Sequence, residues 1–336
     1  EAAIFADGAP SIPPEFPPQA TFPNLNQAPG FGVVFQPIVT EDVYRYLQEL
    51  QGTVAAGTYS IKPYDYITQP TDWSLAAQPS MSKAQIRTML RVDASMDRWQ
   101  ELLNQASTPI GVAGGTMGIC RRVSGSGNQA AYHAYFMDDP CAKNALQSGA
   151  QPMKSAGGGG FFQTVENSSS GKVMDCMDAM FDPVTFNGAA FGITTKRGAI
   201  GVQSTEKQPN HSVAWGALNY DHWGFIKVNG DRPSEVDTAK VDNIVTDGAY
   251  DFFYENAVMW NNACVNECLT AMQFIAQNAG TDETLFDAFG TPVGAFAING
   301  VGPAGNVNGW NNAGNVFPVS RATHELNSCK GLVLAN

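Results

Sequence analysis

Charge is scarce in this chain, and positive charge most of all. Only 15% of its 336 residues are charged, Lys and Arg number 19 against 31 Asp and Glu, and the formal net charge is -12. A protein that binds nucleic acid or an anionic membrane broadly needs a basic face, so this balance excludes both as general roles. Any anion bound here must be held by local geometry. Long apolar runs are also missing: nothing approaches the ~20 consecutive apolar residues of a membrane span. No basic stretch followed by an apolar run opens the chain, which starts at Glu1, and we expect a processed chain on that ground. Histidine occurs four times, at scattered positions, and no Cys/His set has zinc-site spacing. We read no metal site and no cofactor pattern.

What the chain does have is bulk to bury and cysteines to join. With 43% hydrophobic residues, 336 positions suffice for two domains or one bilobal unit. The six cysteines, Cys120, Cys141, Cys176, Cys264, Cys268 and Cys329, form an even set in a low-charge chain. That favours an oxidising compartment and up to three disulfides, which six cysteines can form in any of 15 pairings.

Prolines at 10, 13, 14, 17, 18, 23 and 29 remove N–H donors from the first 30 residues, so an extended arm is expected there. "FGVVFQPIV" then reads as a strand and "TEDVYRYLQELQG" as a helix, with Thr40 as N-cap, acidic residues in its first turn and Gly52 as its stop. "SMSKAQIRTMLRVDASMDRWQELLNQA" reads as two short helices broken near Asp93 to Ser95. "PIGVAGGTMGICRRV" is strand-like, "NQAAYHAYFMDD" helical, and Gly157–Gly160 and Ser168–Gly171 read as flexible connection. "AIGV" is a buried strand, "HWGFIKVNGD" a strand and turn, and an aromatic strand precedes the helix "NACVNECLTAMQFIAQNAG". Strands alternating with helices argue for an α/β architecture.

The densest chemistry lies in "CRRVSGSGNQAAYHAYF", Cys120 to Phe136. A strand ending in Arg, then a Ser-Gly-Ser-Gly turn, then a helix is a recipe for an oxyanion site. The helix N-terminus presents unpaired N–H groups and positive dipole, and glycine lets the backbone close on a ligand. Arg122 adds a planar fork of donors and Ser126 a hydroxyl. A catalytic reading finds less: "SGSGN" lacks the Gly-x-Ser-x-Gly elbow, and His133 falls seven residues on along the helix. We read no enzyme.

The order "MSKAQIRTML", "DRWQELL", "GICRRVSGSG", "YHAYF", "RGAIGV" and "IKVNGDRPS" resembles the phosphate-binding, periplasmic-type solute-binding proteins of high-affinity phosphate uptake and their extracellular relatives. The resemblance runs over roughly residues 80 to 275. It implies a two-lobed, type II periplasmic-binding-protein-like fold, each lobe a mixed sheet flanked by helices. One lobe would hold residues 1–77 and 240–336, the other 78–239. It implies that Arg122 is the bidentate arginine, Ser126 the hydroxyl donor, and Gly127 and Asn128 the backbone amides. Asn128 stands where the family usually has threonine, so a larger amide replaces a compact hydroxyl. Ser124 falls where a small polar or acidic residue is frequent, and Arg121 should point away from the ligand, solvated or salt-bridged. In the first lobe Gly8, Ala9 and Ser11 of "ADGAPSIPPEF" stand in for a Gly-Ala-Ser motif, and Asp65 is the candidate for the aspartate that accepts the protonated phosphate oxygen.

The resemblance thus implies a secreted or periplasmic protein that captures phosphate or a similar oxyanion between two lobes and delivers it to a membrane transporter. The alternative is a secreted structural, matrix or filament subunit with a partly degenerate site that self-associates through its N-terminal arm.

Overall fold

The computed structural model describes residues 25–55, 57–58, 70–91, 98–103, 116–123, 125–137, 157–159, 162–205, 207–215, 217–233, 250–261, 263–278, 295–298, 310–312, 315–317, 319–320, 322–323 and 333–334. The expected α/β class holds: a nine-stranded mixed sheet carries helices on both faces.

Its organising strand is β1, Leu25–Thr40, longer than the sequence pattern alone implies. The apolar residues Val34, Phe35, Ile38 and Val39 are buried, so this segment runs through the core. Its first part pairs antiparallel with β9 (Phe253–Asn261) and β10 (Ala295–Ile298), its last part with β6 (Gly198–Ser204) and β7 (Trp223–Phe225). One strand therefore links strands from the end of the chain to strands from its middle. Helix α1, Glu41–Leu50, follows with Thr40 as its N-terminal boundary, and Gly52 at φ 67° provides the stop. The Thr40 hydroxyl does not cap the helix; it accepts from the Ala199 N–H at 2.9 Å, joining β1 to β6.

Strand β2 (Ser80–Met81) pairs with β8 (Lys227–Val228), and helix α2 (Lys83–Leu90) starts on a capping box between Ser82 and Gln85. The short helix α3, Trp99–Leu102, buries the Trp99 ring, whose Nε1 donates to Gly198 O at 2.8 Å. The break expected at 93–95 lies outside the described residues.

The central unit is strand β3 (Met117–Arg122), helix α4 (Gly127–Met137), strand β5 (Phe162–Asn167), helix α5 (Ser170–Phe181) and then β6. β3 lies between β5 and β6 and is parallel to both. Alternation along β3 sets its two faces. Met117 and Ile119 join Ala131, Tyr132 and Phe136 of α4 in one core cluster, while Cys120 joins Val173, Cys176 and Met177 of α5 in another. Gly118 faces α5, where a Cβ would come within 2.8 Å of Met180 Sδ, so its lack of a side chain lets the helix lie close. The Cys120–Cys176 disulfide then ties β3 to α5, and a second joins Cys264 to Cys268 at the start of helix α6, Glu267–Asn278. Cys141 and Cys329 lie outside the described residues.

Two glycine- and serine-rich tracts expected as flexible connections are structured instead. Gly157–Gly159 forms strand β4, paired antiparallel with β5. The Ser168–Gly171 tract opens α5, with the Ser169 hydroxyl accepting from the Lys172 N–H at 3.1 Å as N-cap. Beyond α6, β11 (Trp310–Asn312) and β12 (Asn315–Phe317) form a small ribbon, and β13 (Val319–Ser320) adds to the main sheet beside β10. One hydrophobic cluster joins Val43, Tyr44 and Leu47 of α1 to Met89, Ile119 and Phe252, residues from either side of the expected boundaries at 77/78 and 239/240.

Candidate functional site

The chain's direction fixes where a site can form. After β3 it moves through α4 to β5 on one side; after β5 it crosses back through α5 to β6 on the other, and the two helices cover opposite faces. The connections leaving β3 and β5 therefore diverge at the carboxyl ends of these adjacent strands. Open α/β sheets bind ligands at such a switch point.

Arg122 and Asn167 are paired there as the last residues of β3 and β5. The Arg122 guanidinium reaches into the turn before α5: Nε donates to Asn167 O at 3.2 Å, Nη2 to Ser168 O at 3.0 Å and Nη1 to Ser170 Oγ at 2.9 Å. Asn128 Nδ2 donates to the same Ser170 Oγ at 3.2 Å. Below them the Arg122 N–H is held by Gln129 Oε1 at 3.1 Å, and the buried Asn167 amide donates to Arg121 O and Val165 O. Gln203 Nε2 donates to Ser170 O at 2.7 Å, which anchors the first residue of α5 to β6. Among the described residues these contacts use three of the five guanidinium N–H donors. Partial burial pulls Arg122 below the ordinary arginine value, and it remains a cation.

The structure thus brings Arg122 and Asn128 together and adds Ser170. Ser126 sits immediately before α4, where its carbonyl accepts from Ala130 N at 2.9 Å, and Gly127 is the exposed first residue of that helix. Gly8, Ala9 and Ser11, with Ser124 and Asp65, lie outside the described residues. Arg121 faces the opposite side of β3 and pairs with Glu166 at 3.2 Å. His133 is buried on α4. Sequence reasoning missed Ser170, Asn167, Gln129 and Gln203. For Ser170 a signal existed: a serine tract followed by Val173, Met177 and Met180 at helical spacing marks a helix start.

A second polar cluster surrounds Glu41, the first residue of α1. Its Oε1 accepts from Arg45 Nη2 at 2.9 Å, from the Thr71 hydroxyl and from Trp215 Nε1 at 3.2 Å; Oε2 accepts from His222 Nδ1 at 2.6 Å. Burial raises the Glu41 pKa, but the His222 hydrogen bond and the Arg45 charge outweigh it and hold the carboxyl below its ordinary value. The His222 ring stacks on Phe181 at 4.3 Å, and the His222 backbone N–H donates to Asp178 Oδ1 at 2.7 Å. Burial, with Asp221, Asp175 and Glu41 nearby, pushes Asp178 up to about 8. A carboxylate beside an imidazole has the chemistry of an acid–base pair, but both side chains are at most 3% exposed, so no substrate reaches them. The cluster fastens α1 to the loop before β7.

Cys264 and Cys268 bond to each other, and among the described residues no group of three His, Cys, Asp or Glu is placed to hold a metal ion. Among the described residues no helix is long and apolar enough to cross a membrane.

No family profile matches the chain, and no curated protein matches it. Among solved structures it is similar to PstS from Borrelia burgdorferi, at 10% identity over 82% of this chain and 75% of that one, with a TM-score of 0.37. It is also similar to an ABC-type phosphate transport receptor from Vibrio cholerae, at 9% identity over 80% of this chain and 72% of that one, with a TM-score of 0.40. Likeness at this level carries no argument about ligand or partner; the site's own residues must do so.

Proposed function

We propose that this protein is an extracytoplasmic capture protein that binds phosphate or a similar small oxyanion at the carboxyl ends of β3 and β5. The observation that carries the reading is the convergence of Arg122 and Asn128 on Ser170 Oγ at the switch point, between the N-termini of α4 and α5. Arg122 is fixed by two carbonyls and the Ser170 hydroxyl of its own chain, and among the described residues two of its N–H donors are left for a ligand. Gly127 carries no side chain to obstruct the start of α4, and Ser126 stands beside it. An anion there meets one cation and two positive helix ends, which suits a chain that is acidic overall.

The reading extends to two lobes, with residues 78–239 carrying this half of the site and residues 1–77 and 240–336 the other, β1 passing between them. Gly8, Ala9 and Ser11 are proposed to close on the anion from that second side, which a hinge would bring near. Disulfides fit a secreted or periplasmic location. Delivery to a membrane transporter follows from the same reading, as does the absence of turnover. Calorimetric titration of the ligand-stripped protein with phosphate, and with sulfate as control, tests it. Saturable heat that Arg122→Ala abolishes supports the site; heat retained in the variant, or none in the parent, rejects it.

A further inference from the structure

The two disulfides described above lie in opposite surroundings. Cys120 and Cys176 are fully buried and 56 positions apart, so no thiol in solution reaches their bond while the fold is intact. Cys264 and Cys268 are only four positions apart, Cys268 is exposed and Cys264 half-buried. None of residues 263–274 is buried, and Val265, inside the ring that the bond closes, is 57% exposed. This bond therefore stands at the surface, open to attack at Cys268. Its loop also gains little from constraining the unfolded chain, because that gain grows with loop length. Exposed disulfides with little holding them are the ones that exchange with thiols.

The bond also holds a strained start to α6. Asn266, just before the first helical residue Glu267, has φ 53°, in the left-handed region that a residue with a side chain adopts at a cost. On one side of it the chain is tied to the end of β9: Asn261 O accepts from the Cys264 N–H at 2.8 Å, and Asn261 Oδ1 accepts from the Ala263 N–H at 2.8 Å. On the other side Asn266 O accepts from the Thr270 N–H at 2.9 Å and from the Thr270 hydroxyl at 3.0 Å, which closes the first helical turn. The disulfide bridges these two hydrogen-bonded pieces across the strained residue. Breaking it leaves β9 and the body of α6 in place and frees the turn between them. The sulfurs lie at the N-terminal end of α6, where the helix dipole stabilises a released thiolate.

We infer that Cys264–Cys268 is a thiol–disulfide exchange site, independent of the oxyanion reading, which reacts with a low-molecular-weight thiol and thereby loosens the first turn of α6. The thiolate of the small thiol attacks Cys268 Sγ. A new S–S bond forms as the Cys264–Cys268 bond breaks, and the electron pair stays on Cys264 Sγ, which takes up a proton. A second small thiolate attacks the sulfur of the first and releases Cys268, which is protonated in turn. The protein disulfide gains two electrons, two thiols become one small disulfide, and their two protons end on the cysteines. To test this, the folded, oxidised full chain is incubated with millimolar glutathione, trapped with iodoacetamide and mapped by peptide mass spectrometry, with amide hydrogen exchange measured before and after. Cys264 and Cys268 are expected to be labelled at least about tenfold faster than Cys120 and Cys176. Amides 265–269 are expected to exchange at least about tenfold faster after reduction, while those of β3 and α5 stay protected. Labelling no faster than at the buried pair, or exchange at 265–269 unchanged by reduction, overturns the proposal. The double variant Cys264→Ser, Cys268→Ser checks the second half without reductant and should match the reduced parent's exchange. Protection like that of the oxidised parent overturns the proposal, and so does a variant that does not fold, since a bond on which the fold depends is not free to exchange.

Discussion

Two arginine-containing clusters in this protein solve opposite problems. Around Glu41, every acceptor position is filled by Arg45, Thr71, Trp215 and His222, and the carboxylate has no exposure to solvent. Around Arg122, the guanidinium is partly exposed, anchored by three contacts to one turn, and among the described residues keeps donors in reserve. The closed cluster can only hold elements together. The open one is held in place and is still able to bind. Polar side chains that fasten a fold exhaust each other, whereas those that bind a ligand are positioned by part of their valence and leave the rest outward.

The contrast breaks most visibly at Glu41. Glu41→Ala strands Arg45 and His222 in the interior, and loss of one partner of a buried ion pair costs about 3–5 kcal/mol. Denaturant unfolding should show that loss, and a cost below about 1 kcal/mol would mean that the cluster does not fasten α1. Next is the Cys120–Cys176 bond, which ties β3 to α5 across a sequence separation of 56. The double Ser variant should lose about 4 kcal/mol by the loop-closure account, with the same unfolding measurement as the check. Retained stability would show that packing of α5 on Gly118 suffices alone.

Asp178 sharpens the comparison through pH. Its carboxyl in the folded state titrates near 8, above the ordinary 3.8, so the folded protein binds a proton that the unfolded chain has released. The stability this contributes is complete below about pH 4 and is lost as pH rises toward 8. Asp178→Asn, which keeps an acceptor for the His222 N–H, should flatten that decline in unfolding midpoints between pH 4 and 8. A variant as pH-sensitive as its parent would remove Asp178 as the cause. The smallest effect on stability belongs to Arg122→Ala. Its hydrogen bonds are partly exposed, so its loss should cost only about 1 kcal/mol. Thermal unfolding checks this.

The sequence revealed the parts whose signals are local. Thr40 and Gly52 bracket α1, the Ser82–Gln85 box starts α2, and the period of two in "MGICRR" places Cys120 and Arg122 on one face and Arg121 on the other. It failed where glycine and serine stood in for structure. The tract Gly157–Gly159 becomes a strand because β5 offers it a partner, and Ser169 becomes a cap because an apolar stripe follows it. Half of the candidate site was legible for the same reason: Arg122, Ser126, Gly127 and Asn128 share one motif. Ser170, Asn167 and Gln203 are brought there by contacts between residues at least 33 positions apart, a relation that no local pattern encodes.

The account rests on Arg122 being an open binding group and not another fastener. Isothermal titration of phosphate into the ligand-stripped parent and into Arg122→Ala, each shown folded by its unfolding transition, tests this most directly. The account predicts saturable binding in the parent and none in the folded variant. Equal heats in both, or no binding in the parent, would contradict it.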